Sequence, residues 1–81
     1  MSEVILDVTR EESGTVVRLQ GDIDLHRSPE LHEALVDICG EKPARLILDM
    51  SEVNYIDSSG VGSLVEIYRR LKRSTGAFVL V

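Results

Sequence analysis

The stretch NYIDSSGVGSL, residues 54–64, joins an apolar run to an amphipathic pattern and marks the junction between a strand and a helix. Asp57, Ser58 and Ser59 stand side by side at this junction, and each is a residue type that caps helix N-termini. A single cap needs only one of them. The junction therefore predicts either a helix cap alone or a functional site at the start of the helix.

Two glycines, Gly60 and Gly62, follow the serines within the predicted helix. Glycine inside a helix costs about 1 kcal/mol relative to alanine. A bare backbone also lets another molecule approach closely. These glycines favour the interpretation that a partner protein reaches the serines, although spacing alone supports a cap almost equally well.

The segments around the junction alternate between strands and helices. Residues 3–9 and 16–20 predict a hairpin of two strands, and residues 44–50 and 76–81 predict two further strands. Ser28 is the predicted N-cap of the first helix, and Gly40 follows its end. The second helix has an apolar face at helical spacing, formed by Val61, Leu64, Val65, Tyr68 and Leu71.

The resulting order is β-β-α-β-α-β, which predicts an α/β fold in one domain over residues 1–81. We expect a mixed sheet, with the strand–helix–strand crossovers parallel and the helices packed on one face.

Composition narrows the classes of function. A formal charge of −5 and a pI near 4.9 argue against nucleic-acid binding. One cysteine, no long apolar run and no signal-like start predict a cytoplasmic protein without membrane insertion. The basic cluster YRRLKR, residues 68–73, complements the negative end of a helix or offers a docking patch for an acidic partner.

Catalysis and metal binding have little support in the sequence. His26 and His32 are six residues apart, and with the single Cys39 they form no zinc-binding pattern. No histidine has a visible acidic partner beside a serine, and no phosphate-binding lysine follows the glycines. We expect neither an enzyme nor a cofactor.

Four aspartates come near the predicted strand ends: Asp22, Asp24, Asp49 and Asp57. Because loops at the carboxyl ends of parallel strands gather at one edge, these carboxylates are expected to lie around Ser58. The alternative is that each is a solvated turn or cap residue. Asp49, which would end the third strand, also raises the hypothesis of a phosphorylated aspartate of the receiver type.

Two longer segments carry a resemblance to a known family. The segment LILDMSEVNYIDSSGVGSLVEIYRRLKRSTGAFVLV resembles the central part of a STAS domain of the bacterial anti-anti-sigma factor (anti-sigma factor antagonist) type, and VVRLQGDIDLHRSPELHEAL is similar to the part before it. In that family the unmodified antagonist binds an anti-sigma factor that is also a serine kinase. The kinase phosphorylates the antagonist, the complex separates, and a serine phosphatase resets the cycle.

The resemblance implies roles for particular residues. Ser58 would be the phosphorylated residue, with Ser59 the second candidate, and Asp22 and Asp24 would form the acidic loop beside the site. The implied partner-binding residues are Asp22, Asp24, Asp57, Ser58, Ser59, Gly60 and Gly62. A related possibility is a STAS-type accessory of a transporter or signalling complex, in which the serine is a docking contact and is never modified.

The resemblance also implies that the fold lacks the family's C-terminal helices, since family members usually continue past a strand like FVLV. The chain is then a fragment, a naturally short member or one that self-associates, and the sequence leaves these alternatives open. Apolar surface left bare favours association. Homodimer formation through that surface is therefore one expectation.

Overall fold

The computed structural model describes residues 3–74 and 76–81. Its sheet has the order β1-β2-β3-β4, in which β1 is antiparallel to β2 and the other pairs are parallel. This confirms the predicted mixed sheet and the predicted order of elements. The elements are β1 (Ile5–Glu11), β2 (Gly14–Ile23), α1 (Ser28–Gly40), β3 (Arg45–Ile56), α2 (Ser58–Arg73) and β4 (Ala77–Leu80).

The core lies between one face of the sheet and the two helices. Buried positions alternate along β2 and β3, as expected for strands with one covered face. Both helices contribute leucines and isoleucines at helical spacing to the same cluster. The fully buried strand and helix residues include Val17, Leu19, Leu46, Leu48, Leu31, Leu35, Ile67 and Leu71.

The two central strands run further than the apolar pattern predicts. β2 continues to Ile23, and β3 continues to Ile56 through a largely polar segment. Their pairing shifts twice, between Arg18 and Gln20 and again between Gly21 and Asp22. Such bulges locally change which face a side chain occupies. The second half of β3 is therefore a strand because it pairs with β2, although buried and exposed residues do not alternate along it.

The ends of α1 differ from the prediction. Ser28 is the first residue of the helix and is buried, while Arg27 occupies the N-cap position without a side-chain cap bond. Asp24 takes over part of the capping role, because its Oδ1 accepts the N–H groups of His26 and Arg27 at 3.0 and 3.1 Å. At the other end, Gly40 belongs to the helix, and Lys42 adopts the left-handed conformation, with φ of 54°.

The buried face of α2 is only partly the one predicted. Leu64 and Leu71 are buried as expected, but Ile67 joins them in the core. Three residues of the predicted apolar face instead remain exposed: Val61, Val65 and Tyr68. The helix therefore carries two apolar stripes, and the protein buries only one of them.

Candidate functional site

The carboxyl ends of β2 and β3 meet at one edge of the sheet. Ile23 pairs with Ile56, and the N–H of Asp57 donates to the carbonyl of Ile23 at 3.2 Å. The loop after β2 and the start of α2 are consequently neighbours. Asp22 lies at the end of β2, Asp24 follows β2 and Asp57 follows β3, so the three aspartates belong to neighbouring segments at this edge.

Asp57 is the N-cap of α2 and holds this edge together. Its Oδ1 accepts the N–H groups of Ser59 and Gly60 at 3.0 and 3.2 Å, and the Ser59 hydroxyl donates to the same oxygen at 2.5 Å. Its Oδ2 accepts the N–H of Leu25 at 3.1 Å. One carboxylate thereby ties the β2–α1 loop to the first turn of α2.

These hydrogen bonds also affect the charge of the site. The hydroxyl of Ser59 is the main cause of a lowered pKa for Asp57, and main-chain N–H groups add to it against the opposing effect of burial. Hydrogen bonds to the ionised form favour that form. The cap is therefore a carboxylate at neutral pH.

The two serines of the junction have different surroundings. Ser59 is half-buried and its hydroxyl is bonded to Asp57. Ser58 is the first residue of α2 and is exposed. Within residues 3–74 and 76–81, its hydroxyl makes no hydrogen bond. Of the pair, only Ser58 presents a hydroxyl that the cap does not use.

The two glycines of α2 also have different surroundings. Gly60 is buried, and a Cβ built there would lie 2.7 Å from Cγ1 of Ile56 and 2.8 Å from Cγ2 of Ile23. The chain's own side chains occupy the space beside it, so an approaching partner does not explain this glycine. Gly62 is exposed, with no neighbouring atom within 4 Å of such a Cβ.

The two acids of the β2–α1 loop region have different tasks. Asp24 is half-buried, organises the turn before α1, and lies 3.5 Å from Nη1 of Arg27. Asp22 is exposed at the end of β2, opposite Tyr55 of β3. Asp22 is therefore the more accessible of the two carboxylates at this edge.

Asp49 lies outside the site, so our placement of it at a strand end is wrong. It stands within β3, accepts the N–H of Ser51 at 3.0 Å and lies 3.9 Å from Nε of Arg18. Hydrogen bonds from Ser51 are the main cause of its lowered pKa. The geometry gives no support to a receiver-type acceptor at this position.

Within the described ranges, no three histidine, cysteine, aspartate or glutamate side chains are placed to hold a metal ion. No helix of residues 3–74 and 76–81 combines the length and apolar character required to cross a membrane. The basic residues Arg70, Lys72 and Arg73 fall in the last turn of α2, where they complement its dipole.

Comparison with known families decides the relationship of the chain. The family model described as the STAS domain matches residues 5–81. The chain belongs to the STAS domain family. The order of strands and helices found above is the fold that this membership implies.

Two kinds of known protein are similar in sequence to this chain. The anti-sigma-B factor antagonist of Bacillus subtilis is 33% identical over 75 residues, which cover 93% of this chain and 68% of that protein. A putative sulfate transporter of the same organism is 29% identical over 77 residues, 95% of this chain but only 14% of the transporter. The chain is therefore similar to a small antagonist and to one part of a much larger protein.

A solved structure agrees with the first relationship. The crystal structure of an anti-sigma factor antagonist from Mycobacterium paratuberculosis matches with a TM-score of 0.84 and 28% identity. The match covers 99% of this STAS domain and 70% of that protein. The sequence and structure comparisons thus both relate the chain to anti-sigma factor antagonists.

One surface was missed by sequence reasoning. A groove of about 360 Å³ runs between α2 and the edge of the sheet; we call it the α2–β4 groove. The available signal is the width of the apolar face of α2, which exceeds the stripe that the core buries. The groove is lined by Met50, Ile56, Val61, Leu64, Val65, Tyr68, Phe78 and Leu80.

Proposed function

We propose that this STAS domain is a cytoplasmic anti-sigma factor antagonist controlled by phosphorylation of Ser58. In the unmodified state it binds an anti-sigma factor that is also a serine kinase, and a sigma factor is released. Phosphorylation by that kinase ends the interaction, and a serine phosphatase restores it. The observation that carries the proposal is the exposed hydroxyl of Ser58 at the start of α2.

The capping arrangement explains how Ser58 is modified without loss of the fold. Asp57 and Ser59 supply the cap of α2 between them, so the Ser58 hydroxyl is not needed for it. A phosphate on Ser58 lies at a helix N-terminus, where free N–H groups and the helix dipole favour an anion. We therefore expect the phosphorylated domain to keep its structure.

The phosphate is instead expected to weaken binding of the partner protein. A phosphoserine carries about −1.5 to −2 charges at neutral pH. Asp22, Asp24 and Asp57 already make this edge acidic, so a surface that fits the unmodified domain would bury an additional, unpaired charge. The switch then requires no conformational change in the STAS domain.

Intact-mass measurement after incubation with ATP and a candidate anti-sigma kinase tests the modification. The wild-type chain and Ser59→Ala are expected to gain one phosphate, while Ser58→Ala gains none. Ser59→Ala is the matched control, because it removes a neighbouring hydroxyl of the same chemistry. Phosphate on Ser59 in the wild-type chain would contradict the assignment.

Titration calorimetry with the same kinase tests the switch itself. Ser58→Ala should bind like the wild type, whereas Ser58→Asp should bind at least about tenfold more weakly, a loss of about 1.4 kcal/mol. Equal affinity of Ser58→Asp and the wild type would refute the switch.

A second function is favoured by the similarity to part of a putative sulfate transporter. In that case the domain is an accessory of a larger assembly, and Ser58 is an unmodified contact. Purification of the domain with its bound partner separates the two proposals. An anti-sigma factor as partner supports the antagonist, and a transporter subunit supports the accessory.

A further inference from the structure

A second cavity, of about 330 Å³, lies between the C-terminal ends of α1 and α2; we call it the α1–α2 cavity. Its walls belong to the two helices and to the turn that follows each of them. It shares no lining residue with the α2–β4 groove. The α1–α2 cavity is lined by Val36, Cys39, Gly40, Lys42, Arg70, Arg73 and Ser74.

Three of these side chains are cations, and none of the described residues that line the cavity is acidic. Lys42 follows α1, whereas Arg70 and Arg73 are three residues apart and lie on one face of α2. Three positive charges therefore meet at one cavity of a chain whose formal charge is −5. A cleft lined by charges of one sign concentrates counter-ions whatever the net charge of the protein.

The carboxylates of the chain leave these cations available. Within residues 3–74 and 76–81, Lys42 and Arg73 have no ion-pair partner. Nε of Arg70 lies 3.3 Å from Oε1 of Glu66, but both side chains are about 40% exposed, and such an ion pair contributes little. The guanidinium of Arg70 also has further N–H groups to donate. A ligand in the cavity can therefore engage all three cations.

The other walls of the cavity add no negative charge. Burial raises the pKa of the Cys39 thiol, against the opposing effect of Arg70, so Cys39 is neutral at pH 7. Val36 is apolar. The carbonyls of Cys39 and Leu71 at the helix ends already accept main-chain N–H groups, from Lys42 at 2.9 Å and Ser74 at 3.1 Å.

We propose that the α1–α2 cavity binds a small, doubly charged oxyanion, a phosphate ester or a dicarboxylate, through Lys42, Arg70 and Arg73. Guanidinium groups pair with phosphate or carboxylate oxygens through two parallel hydrogen bonds. A singly charged ligand would leave most of the positive charge uncompensated. A volume of 330 Å³ is at the lower end of the roughly 300–1,000 Å³ of ligand sites, which indicates a small molecule.

This cavity is remote from the proposed phosphorylation site. Ser58 begins α2 and Arg73 ends it, and a helix of 16 residues is about 24 Å long. A phosphate on Ser58 therefore does not reach the cavity of the same molecule. Anion binding here and phosphorylation of Ser58 are independent, so either can fail while the other stands.

Nuclear magnetic resonance titration of the chain with inorganic phosphate and with succinate, at ionic strength matched with sodium chloride, tests the proposal. We expect saturable shifts of the Lys42 main-chain N–H and of the Nε–H groups of Arg70 and Arg73. A response to phosphate alone assigns the site to phosphate esters, and a response to succinate alone assigns it to dicarboxylates. Shifts that do not saturate, or that are confined to the first turn of α2, would overturn the proposal.

Charge variants test which cations hold the anion. Arg73→Gln and Lys42→Gln should each weaken binding at least about fivefold, and Glu66→Gln, which releases Arg70, should strengthen it about twofold. Arg69→Gln is the matched control, because Arg69 is an exposed arginine of the same helix that does not line the cavity. Circular dichroism checks that each variant is folded. Equal losses for Arg69→Gln and Arg73→Gln would refute a defined site.

Cys39 provides an independent measurement, because it is the single cysteine of the chain and lines the cavity. Iodoacetamide is uncharged, so the cations do not attract it. A saturating concentration of the anion that binds should slow alkylation of Cys39 at least about twofold in the wild type, and much less in Arg73→Gln. An unchanged alkylation rate in the wild type would place the anion outside the cavity and contradict the proposal.

Discussion

At the scale of single residues, adjacent residues at the junction between β3 and α2 have different roles. Asp57 and Ser59 hold the helix start, Gly60 allows the helix to pack against Ile23 and Ile56, and Ser58 projects into solvent. The three consecutive polar side chains therefore do not all cap the helix. Two are structural, and the exposed one is available for chemistry.

The two glycines of α2 provide a direct test of this division. Gly60→Ala should destabilise the domain by about 1 kcal/mol or more, because the added methyl overlaps Ile23 and Ile56 and overpacking outweighs the gain in helix propensity. Gly62→Ala, the control in open space, should instead stabilise it by up to about 1 kcal/mol. Urea denaturation of both variants measures the difference, and a stabilised Gly60→Ala would show that the packing is not tight.

At the scale of elements, helix α2 is coupled to the β2–α1 loop through the carboxylate of Asp57. Its hydrogen bonds extend to the first turn of α2 and to the N–H of Leu25. Protonation of Asp57 thus weakens both the first turn of α2 and the β2–α1 loop. The acidic edge proposed to meet a partner depends on the same group.

The lowered pKa of Asp57 predicts a dependence of stability on pH. In the unfolded chain an aspartate titrates at about pH 4. As the pH falls, the unfolded state therefore binds a proton before the folded state does. The contribution of Asp57 is therefore fully present above about pH 5, and it is lost as the pH falls through the folded-state pKa.

Asp57→Asn isolates this contribution. Asparagine caps helices about as well as aspartate but does not titrate in this range. We expect the variant to lose less stability than the wild type between neutral pH and the acid range, as measured by thermal unfolding at each pH. The pKa of Asp49 is also lowered, so Asp49→Asn is the comparison for acid sensitivity elsewhere. Identical pH profiles for Asp57→Asn and the wild type would contradict the role of the cap.

At the scale of the whole molecule, a small domain depends on a single core. β3 lies between β2 and β4, and its Leu46 and Leu48 are fully buried beneath the helices. A domain of this size has roughly 4–12 kcal/mol of stability in total. The truncation of one central side chain therefore removes a large fraction of the free energy of unfolding.

Leu48→Ala measures that dependence. Truncation of a buried leucine costs about 2–5 kcal/mol, so we expect a strongly lowered melting temperature or an unfolded chain. Leu6→Ala is the control, because Leu6 is exposed, and its effect should stay within about 0.5 kcal/mol. Calorimetry compares the two. Equal effects would place Leu48 outside the cooperative core.

Local patterns in the sequence determined the elements and their order. Alternating spacings, short apolar runs and helical spacings predicted the strands and helices. The two spacings follow from backbone geometry alone. The run from Asp57 to Ser59 likewise marked the start of α2. The resemblance carried by LILDMS and IDSSGVG indicated the family, which the comparison over residues 5–81 then established.

Only the tertiary structure decided which of several equivalent groups takes each role. The apolar stripes of α2 both have helical spacing, and packing against α1 and the sheet buried one of them. β3 extends beyond Met50 because β2 pairs with its polar second half, and this leaves Asp49 inside a strand. Ser58 and Ser59 are chemically identical; contact with Asp57 distinguishes them. Burial and hydrogen bonding depend on residues distant in sequence, and no local pattern encodes them.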